Sequence, residues 1–451
     1  MDRMIGNSTS GANGKLALDE AVFDTPAKQS SNPEKKSIVN LILFFWFLRL
    51  FKPEWLASYY VPSLSPLKSI PTVMLLVFVG YLFFSSNKVR FDKPMLWFTI
   101  AISLSTLTAQ NFGIALPYMR GTIETLLIYA VITTFVSSEE SFNKLVKIYL
   151  WSYVFFGIWG IGTGGKVSAM LPLDDEDSFG PFMAIGFALS YYLLSARDIG
   201  GPRRLRRSAC VISFLGAVAS LARGTFVSLA TVAGYVFLRS KNKIGLAFRS
   251  AIAGVVVVML ALTFAPKFAD QYWTEASSIW LQGTKEKTAN DRLYLWTRAV
   301  AMFADYPILG VGPGCYGHKV PDYITQESAN EWGVRFQMYG RAIHNIFFQM
   351  LSETGSAGVI GLSGLLLSFR ARNVETRSIA RSLKLSGLSK AGSDRVNSIE
   401  QYCFGLEAAM LAFLVNGFFF NLLFYSWFWD LLILNSLLHQ RIQRIKASAG
   451  L

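Results

Sequence analysis

The sequence predicts an all-α membrane protein: a bundle of about twelve transmembrane helices, with a long polar segment late in the chain. Of its 451 residues, 52% are hydrophobic and 16% are charged, whereas a soluble protein has about 25% charged residues. The apolar residues come in blocks of roughly 15 to 21, close to the length that spans a bilayer core. The net charge of +14 is divided among many short segments, which favours membrane topology over nucleic-acid binding.

The predicted spans follow one another along the chain. They are 37–51, 69–85, 95–114, 118–137, 143–162, 178–196, 208–222, 224–238, 249–266, 350–369, 402–420 and 421–438. The stretch 208–238 is one apolar run interrupted only at 222–224, so ten or eleven spans remain an alternative. Residues 1–36 are polar and are predicted to form a disordered tail, 37–438 form the membrane domain, and 439–451 form a second tail.

Basic residues predict the orientation, because short connections rich in Lys and Arg stay cytoplasmic. Such clusters occur at 88–93, 197–207, 239–249, 370–395 and 441–446. Twelve spans place all of them on the cytoplasmic side, together with both termini. The connections 163–177 and 267–342 then lie on the outer face, and the second of these is long enough to predict a functional segment.

The outer segment contains a predicted amphipathic helix. Asn290 or Asp291 can cap it, and Pro307 ends it. An apolar stripe recurs at helical spacing and comprises Leu293, Trp296, Val300 and Phe303. The following glycine run, 310–314, is interpreted as a tight turn rather than a phosphate-binding loop, because it follows a helix and precedes no βαβ unit.

Arginines on the outer face suggest an anion site. The candidates are Arg120, Arg223, Arg292, Arg298, Arg335 and Arg341. A charge inside the bilayer costs roughly 2.5–3.5 kcal/mol or more unless it is paired, and the guanidinium fork matches phosphate oxygens. The alternative is that each arginine reaches the interface or pairs with a nearby acid, such as Asp291 beside Arg292.

The stretch "RAIHNIFFQMLSETGSAGVIG" at 341–361 contains one of three histidines. A helix beginning near Arg341 would place Arg341, His344, Asn345 and Phe348 on one face. Histidine, with a pKa near 6.5, can take a proton from a hydroxyl at neutral pH. The alternative is a histidine bonded to the backbone at the helix end. His318 and His439 are weaker candidates.

Two further clusters have structural explanations. The acids Asp174 to Asp177 could bind a divalent metal, or they could form a solvated loop that helps the next helix begin. The cysteines Cys210, Cys315 and Cys403 have no metal-ligand spacing, so neither a zinc site nor a disulfide is predicted.

These residues resemble the bacterial O-antigen ligase family and its relatives that share the ligase/polymerase membrane domain. The resemblance is carried by "DRLYLWTRAVAMFADYPILGVGPGCYG" at 291–317, by the 341–361 stretch, and by "SLARGT" at 220–225, and it covers roughly 70–435. Relatives often have serine where Ala222 precedes Arg223. Arg120 and Arg335 match the family only by their position relative to helices.

The resemblance implies a metal-independent, inverting glycosyltransferase of the GT-C type in the bacterial inner membrane. It would move a glycan from undecaprenyl pyrophosphate to an acceptor hydroxyl on the periplasmic side, without a cofactor or nucleotide. His344 would be the base, and Arg223, Arg292, Arg341 and, by position, Arg120 would hold the pyrophosphate. The acceptor would be lipid A core or another hydroxyl. A polymerase of lipid-linked repeats and a transporter of lipid-linked glycans remain as alternatives.

Overall fold

The computed structural model describes residues 33–84, 89, 91–197, 199–245, 247, 287–325, 339–386 and 388–448. Helices make up most of this part of the chain, and it contains no β-strand. The all-α prediction is therefore confirmed. The predicted span 249–266, most of the tail 1–36 and part of the outer segment 267–342 lie outside the described residues.

The α-helices of the described residues are labelled in chain order. They are α1 (Pro33–Phe51), α2 (Pro53–Tyr60), α3 (Ile70–Phe84), α4 (Lys93–Leu107), α5 (Phe112–Phe135), α6 (Glu139–Gly162), α7 (Glu176–Leu193), α8 (Arg203–Ala219), α9 (Arg223–Arg239), α10 (Lys287–Asp305), α11 (Tyr316–Lys319), α12 (Ile346–Leu385), α13 (Lys390–Gly417) and α14 (Ser426–Ser448). Two 3₁₀ segments, Pro62–Ser69 and Val320–Tyr323, precede α3 and follow α11.

Four helical stretches of the described residues are long and apolar enough to cross a membrane. They are Pro62–Phe84, Glu139–Gly162, Ile346–Leu385 and Lys390–Gly417. Other helices coincide with predicted spans, and some of them are shorter, such as α8 with 17 residues. The chain is a multi-pass helical membrane protein, and the count of twelve stays a prediction.

The centre of the bundle is formed by α7, which packs against α6, α8 and α13. Small residues allow these close approaches. A side chain at Gly186 of α7 would lie 2.3 Å from the ring of Tyr153 on α6, and one at Gly405 of α13 would lie 3.1 Å from the carbonyl oxygen of Leu189. The ring of Tyr153 stacks on Phe182 of α7 with centroids 4.6 Å apart, so the centre is dense and aromatic.

The helix termini gather at two ends of the bundle. At the first, called the His344 end, α4, α8 and α13 finish and α5, α7, α9 and α12 begin. At the second, called the Glu139 end, α6 and α13 begin and α12 and α14 finish. Ion pairs join helices there: Arg372–Asp92 at 2.6 Å, Lys384–Glu400 at 2.6 Å, Arg197–Asp394 at 2.6 Å, Arg441–Glu139 at 2.5 Å and Arg377–Glu407. The described basic residues of the clusters 197–207, 370–395 and 441–446 thus contribute to one end, and its cytoplasmic location stays a prediction.

Helix boundaries differ from the prediction at the Glu139 end. The segment 370–400 was expected to be a loop, but α12 continues to Leu385 and α13 already begins at Lys390. Charges paired between the two helices, such as Lys384 with Glu400, stabilise this hairpin. Hydropathy detects only the apolar part of such a helix. In the same way α14 runs to Ser448 through the predicted tail 439–451.

Candidate active site

The outer segment folds onto the bundle around α10. Three of its side chains, Leu295, Ala299 and Met302, are buried in a small core that includes Ala115 of α5 and Ile343. The predicted helix is confirmed, and it ends at Asp305, before Pro307. Its start was wrong: α10 begins at Lys287, so neither Asn290 nor Asp291 caps it.

The predicted apolar stripe of α10 was also wrong in its phase. Leu293 and Val300 are about half exposed, at 50% and 48%, whereas Leu295 and Met302, two positions later, are buried. The small Ala299 lets the helix approach the protein on that face, so the face with Leu293 and Val300 is left outward. Trp296 lies between the two faces, and its indole N–H donates to the carbonyl oxygen of Ile343 at 3.1 Å.

Helix α12 begins at Ile346 and not near Arg341. Asn345 is its N-cap: the side-chain oxygen accepts hydrogen bonds from the backbone N–H of Phe347 at 2.9 Å and of Phe348 at 3.1 Å. The predicted shared helical face of Arg341, His344, Asn345 and Phe348 is therefore wrong, because 341–345 is not helical. The cap of Asn345 determines where the helix starts and leaves His344 just outside it.

The backbone of His344 is held in an unusual conformation, with φ of 52°. Few residues other than glycine adopt this region, and those that do lie disproportionately at functional sites. Hydrogen bonds of the next residue, Asn345, hold the backbone of His344 in this conformation. Asn345 is fully buried, its backbone N–H donates to the side-chain oxygen of Asn421 at 3.1 Å, and its side-chain nitrogen donates to the carbonyl oxygen of Phe418 at 3.1 Å.

The imidazole of His344 is half-buried among charges. Burial lowers the pKa of His344 below its ordinary value; the Arg292 charge lowers it further, Asp175 opposes this effect, and Arg341 adds to it. Both positive neighbours and the low-dielectric surroundings disfavour a second proton on the ring. At neutral pH the side chain is therefore the free base, which is the form that can accept a proton from a hydroxyl.

Two of the predicted arginines reach this histidine from different elements. Arg292 projects from the second turn of α10 and lies over the ring of Phe420, 5.9 Å from its centroid. Arg341 precedes His344 in the non-helical segment, and its side chain is 45% exposed and 3.6 Å from Asp291. The acid of α10 thus pairs with Arg341, whereas the alternative drawn from the sequence placed it beside Arg292.

The turn between α8 and α9 brings Arg223 close to the turn that follows α13. It is the first residue of α9, half-buried, and the adjacent Gly224 packs so closely that a Cβ there would lie 3.0 Å from both Phe419 and Phe420. Arg223 and Arg292 therefore flank the same turn after α13. Arg120 is exposed within α5 and forms no hydrogen bond or ion pair with the described residues. Arg335 lies outside the described residues.

Of the two roles that the sequence left open for the acids 174–177, metal binding or helix initiation, the structure shows helix initiation. It also shows an electrostatic influence on the candidate site. Asp175 caps α7 by accepting a hydrogen bond from the backbone N–H of Asp177 at 3.0 Å, and Glu176 pairs with Lys166 at 2.8 Å. In addition, the charge of Asp175 acts on His344 and that of Arg292 acts on Asp177. Among the described residues, no group of three His, Cys, Asp or Glu side chains could hold a metal ion.

Helix α12 is interrupted at Gly355, which has φ of 60° and ψ of −159°. The segment after α10 fills the interruption. Ser356 and Ala357 donate backbone hydrogen bonds to the carbonyl oxygens of Pro307 and Ile308, at 2.8 and 3.1 Å, and the carbonyl oxygens of Ser352 and Glu353 accept from Val311 and Gly312, both at 2.9 Å. Positive φ at Gly310, Gly312 and Gly314 agrees with the predicted turn, which serves to join α10 to α12.

Glu353, the acid just before the interruption, is buried with its carboxylate bonded to three donors. They are the backbone N–H of Gly314, the backbone N–H of Tyr316 at 3.4 Å and the side-chain amide of Gln349 at 3.1 Å. In the sequence this acid is visible only as part of the stretch 341–361. Its position two residues before a helix-breaking glycine was the signal that could have identified it as an anchor for the glycine turn.

The other two histidines and the three cysteines make contacts of their own. His318 contacts the hydroxyl of Tyr339 at 3.1 Å, and His439 contacts Thr376 at 3.1 Å at the Glu139 end. Cys210, Cys315 and Cys403 are buried free thiols.

Comparison with known proteins adds to this geometry. The family model described as O-Antigen ligase matches residues 208–363, a stretch that includes Arg223, Arg292, Arg341 and His344 but not Arg120. No curated protein matches the chain. The match supports a membrane glycosyltransferase of the O-antigen ligase and polymerase class. Residues 208–363 are therefore similar to the O-antigen ligase family, and the resemblance seen in the sequence is confirmed over that stretch.

Proposed function

We propose that this protein transfers a glycan from undecaprenyl pyrophosphate to an acceptor hydroxyl on the periplasmic side of the bacterial inner membrane. The reaction inverts the anomeric centre, needs no metal ion, and joins the glycan to lipid A core or to another hydroxyl acceptor. The observation that carries the proposal is the position of the half-buried His344 near Arg292 and Arg341, whose charges act together with burial to lower its pKa, in the segment that matches the family.

His344 accepts the proton of the acceptor hydroxyl as its oxygen attacks the anomeric carbon of the donor sugar. A new carbon–oxygen bond forms on one face of that carbon while the bond to the pyrophosphate oxygen breaks on the other. The lipid pyrophosphate leaves with the electron pair. A base whose pKa lies below neutrality is unprotonated before each turnover, so no preceding deprotonation is required.

Arg223, Arg292 and Arg341 are proposed to bind the pyrophosphate. Its negative charge increases as the bond breaks, and fixed cations at that point stabilise the transition state more than the ground state. Guanidinium groups also match phosphate oxygens bidentately. Because these groups supply the positive charge and pyrophosphate is already a good leaving group, the proposal requires no divalent cation. Arg120 is the least supported member of this set, since it lies outside both the cluster and the family match.

A polymerase of lipid-linked repeat units is the second candidate, because it would use the same donor and base and differ only in its acceptor. The family match is compatible with both. A transporter of lipid-linked glycans is the third candidate, and it would need the arginines but not the base.

The glycan profile of a deletion strain separates these functions. We expect long polymer to accumulate on the polyprenyl carrier while the acceptor stays bare, as seen by gel and mass spectrometry of both fractions. An acceptor capped with single repeats would instead show a polymerase. Donor that accumulates only on the cytoplasmic side would show a transporter and would exclude the proposed transfer reaction.

A further inference from the structure

A polar cavity of about 210 Å³ lies beside the candidate active site. It is enclosed by the start of α5, the glycine turn around 314–317, the segment 340–343 and the first turns of α12. Its volume equals that of about seven liquid waters, the scale of one monosaccharide unit. The mechanism described above does not use it.

The lining suits a ligand rich in hydroxyl groups, because it is polar and includes His318 and Arg341, whose side chains can hydrogen-bond to hydroxyls. Tyr118 and Gln349 both face this cavity. The phenol of Tyr118 makes no hydrogen bond to the described residues. Gln349 is 4% exposed; its nitrogen donates to Glu353 at 3.1 Å, and its oxygen has no hydrogen-bond partner in the described part of the chain. A buried polar atom of this kind calls for an explanation, and a ligand hydroxyl would provide one.

The cavity also reaches the immediate surroundings of His344. Arg341 lines it and also influences the charge of His344. Asn421 lines it as well, and its side-chain oxygen accepts the N–H of the peptide bond that follows His344, at 3.1 Å. A sugar in the cavity would therefore lie close to Arg341 and to the backbone that holds His344.

We propose that this cavity is a subsite for one sugar ring, whose hydroxyls bond to Tyr118 and Gln349. The inference rests on the proposed glycan transfer. Donor and acceptor both carry such rings, and the same chemistry would recognise either. Glu353 positions Gln349 and the glycine turn, so we assign it to the wall of the subsite.

Steady-state kinetics with Tyr118→Phe and Gln349→Met test the subsite. The purified full-length protein is assayed with the undecaprenyl-pyrophosphate glycan and the lipid A core of the source bacterium. We expect the KM of one substrate to rise roughly tenfold, the usual effect of removing a hydrogen bond to a ligand. A rise for the acceptor places the acceptor ring in the cavity, and a rise for the donor places the donor ring there.

Tyr129→Phe is the matched control, since it removes a hydroxyl bonded to Ser436 at 2.8 Å inside the bundle, and it should leave both KM values unchanged. Tyr118→Phe removes no hydrogen bond within the described protein, so it tests the subsite even if Gln349→Met fails to fold. Unchanged KM values for both substrates in Tyr118→Phe would overturn the proposal.

A measurement without turnover separates this subsite from the transfer reaction. A Tyr118→Cys variant is treated with a small maleimide, and labelling is followed by mass spectrometry; the native thiols are buried and should react slowly. We expect saturating donor or acceptor to slow the labelling at least fivefold. Labelling at the same rate with either substrate would exclude a sugar in the cavity. A wild-type protein that transfers no glycan would contradict the proposed function alone.

Discussion

The two ends of the helix bundle differ in what their arginines contact. At the Glu139 end, Arg372 meets Asp92 at 2.6 Å and Arg441 meets Glu139 at 2.5 Å, with arginine side chains only 16% and 9% exposed. At the His344 end, Arg292 lies over the ring of Phe420, and the half-exposed Arg341 is 3.6 Å from Asp291. The first arginines join helices, and the second approach a titratable base.

This difference shows how the same residue type serves structure at one end and chemistry at the other. A short, buried ion pair has its charge already compensated, and removing one partner leaves the other buried and destabilises the fold. An arginine beside a histidine and an aromatic ring presents its charge where the proposed anion binds, and its fork matches phosphate oxygens. Changes at the Glu139 end should therefore affect folded yield, and changes at the His344 end should affect turnover.

The largest expected effect is that of His344→Ala. Loss of a general base lowers the rate by about 100- to 10,000-fold, so transfer should nearly disappear while the amount of folded protein in the membrane stays the same. His439→Ala is the matched control at the Glu139 end, where the ring contacts Thr376, and it should keep full transfer activity. Product is measured as glycan joined to the acceptor in purified membranes.

Full activity in the folded His344→Ala protein would rule out the proposed base. It would favour the transporter, in which no proton is transferred to the protein.

Arg292→Lys should have the second largest effect. Lysine keeps the charge but loses the bidentate fork, and loss of one charge-assisted hydrogen bond corresponds to a fall of about 10- to 100-fold in kcat/KM. Arg298→Lys on the same helix is the control, because Arg298 donates to the carbonyl oxygen of Tyr323 at 3.0 Å and should change kcat/KM little. Equal losses in the two variants would mean that α10 is merely disturbed.

The N-caps of α12 at the His344 end and of α13 at the Glu139 end allow the effects on stability and on turnover to be compared directly. Asn345→Ala and Ser389→Ala each remove an N-cap side chain that bonds two backbone N–H groups, so each should lower stability by about 1 kcal/mol. Only Asn345→Ala should also lower turnover, several-fold, because Asn345 holds the backbone next to His344. Thermal unfolding and transfer are measured on the same preparations. A similar loss of turnover in Ser389→Ala would show that the effect is general.

The smallest expected effect is on the pH profile. The pKa of folded His344 lies below its ordinary value, so the rate should be level above about pH 6.5 and should fall at lower pH, by up to tenfold per unit. The unfolded state binds this proton at higher pH than the folded state, so stability should also decrease as the pH falls through 6.5. An acid limb centred above pH 7 would contradict the free-base assignment.

Composition and hydropathy were enough to predict the helical class and the approximate position of most of the described helices, because these depend on local apolar content. The ends of α12 and α13 could not be predicted in this way. Lys384 and Glu400 are unfavourable for a membrane span, yet they extend both helices by pairing across the hairpin. Such pairing depends on which helices are neighbours, and this is set by the tertiary fold.

The candidate site was predictable in its residue types but not in its geometry. His344, Arg223, Arg292 and Arg341 were identified from charge placement and family resemblance, and the structure brings them to one end. The sequence did not show that Asn345 would cap α12 and leave His344 outside the helix, because the residues 341–348 are equally compatible with a helix that starts near Arg341. Asp175 was likewise expected only to start a helix or to bind a metal, and its influence on His344 depends on the tertiary fold, which brings the start of α7 near the segment before α12.

The interruption at Gly355 has a consequence for biogenesis. Backbone groups freed inside a bilayer must find partners in the protein, because unsatisfied groups cost several kcal/mol each. Here the partners are supplied by 307–312, which the ribosome makes before it makes α12. Each newly inserted copy of α12 therefore meets a segment that is already synthesised, and deleting 307–312 would leave the backbone groups freed at Gly355 without these partners.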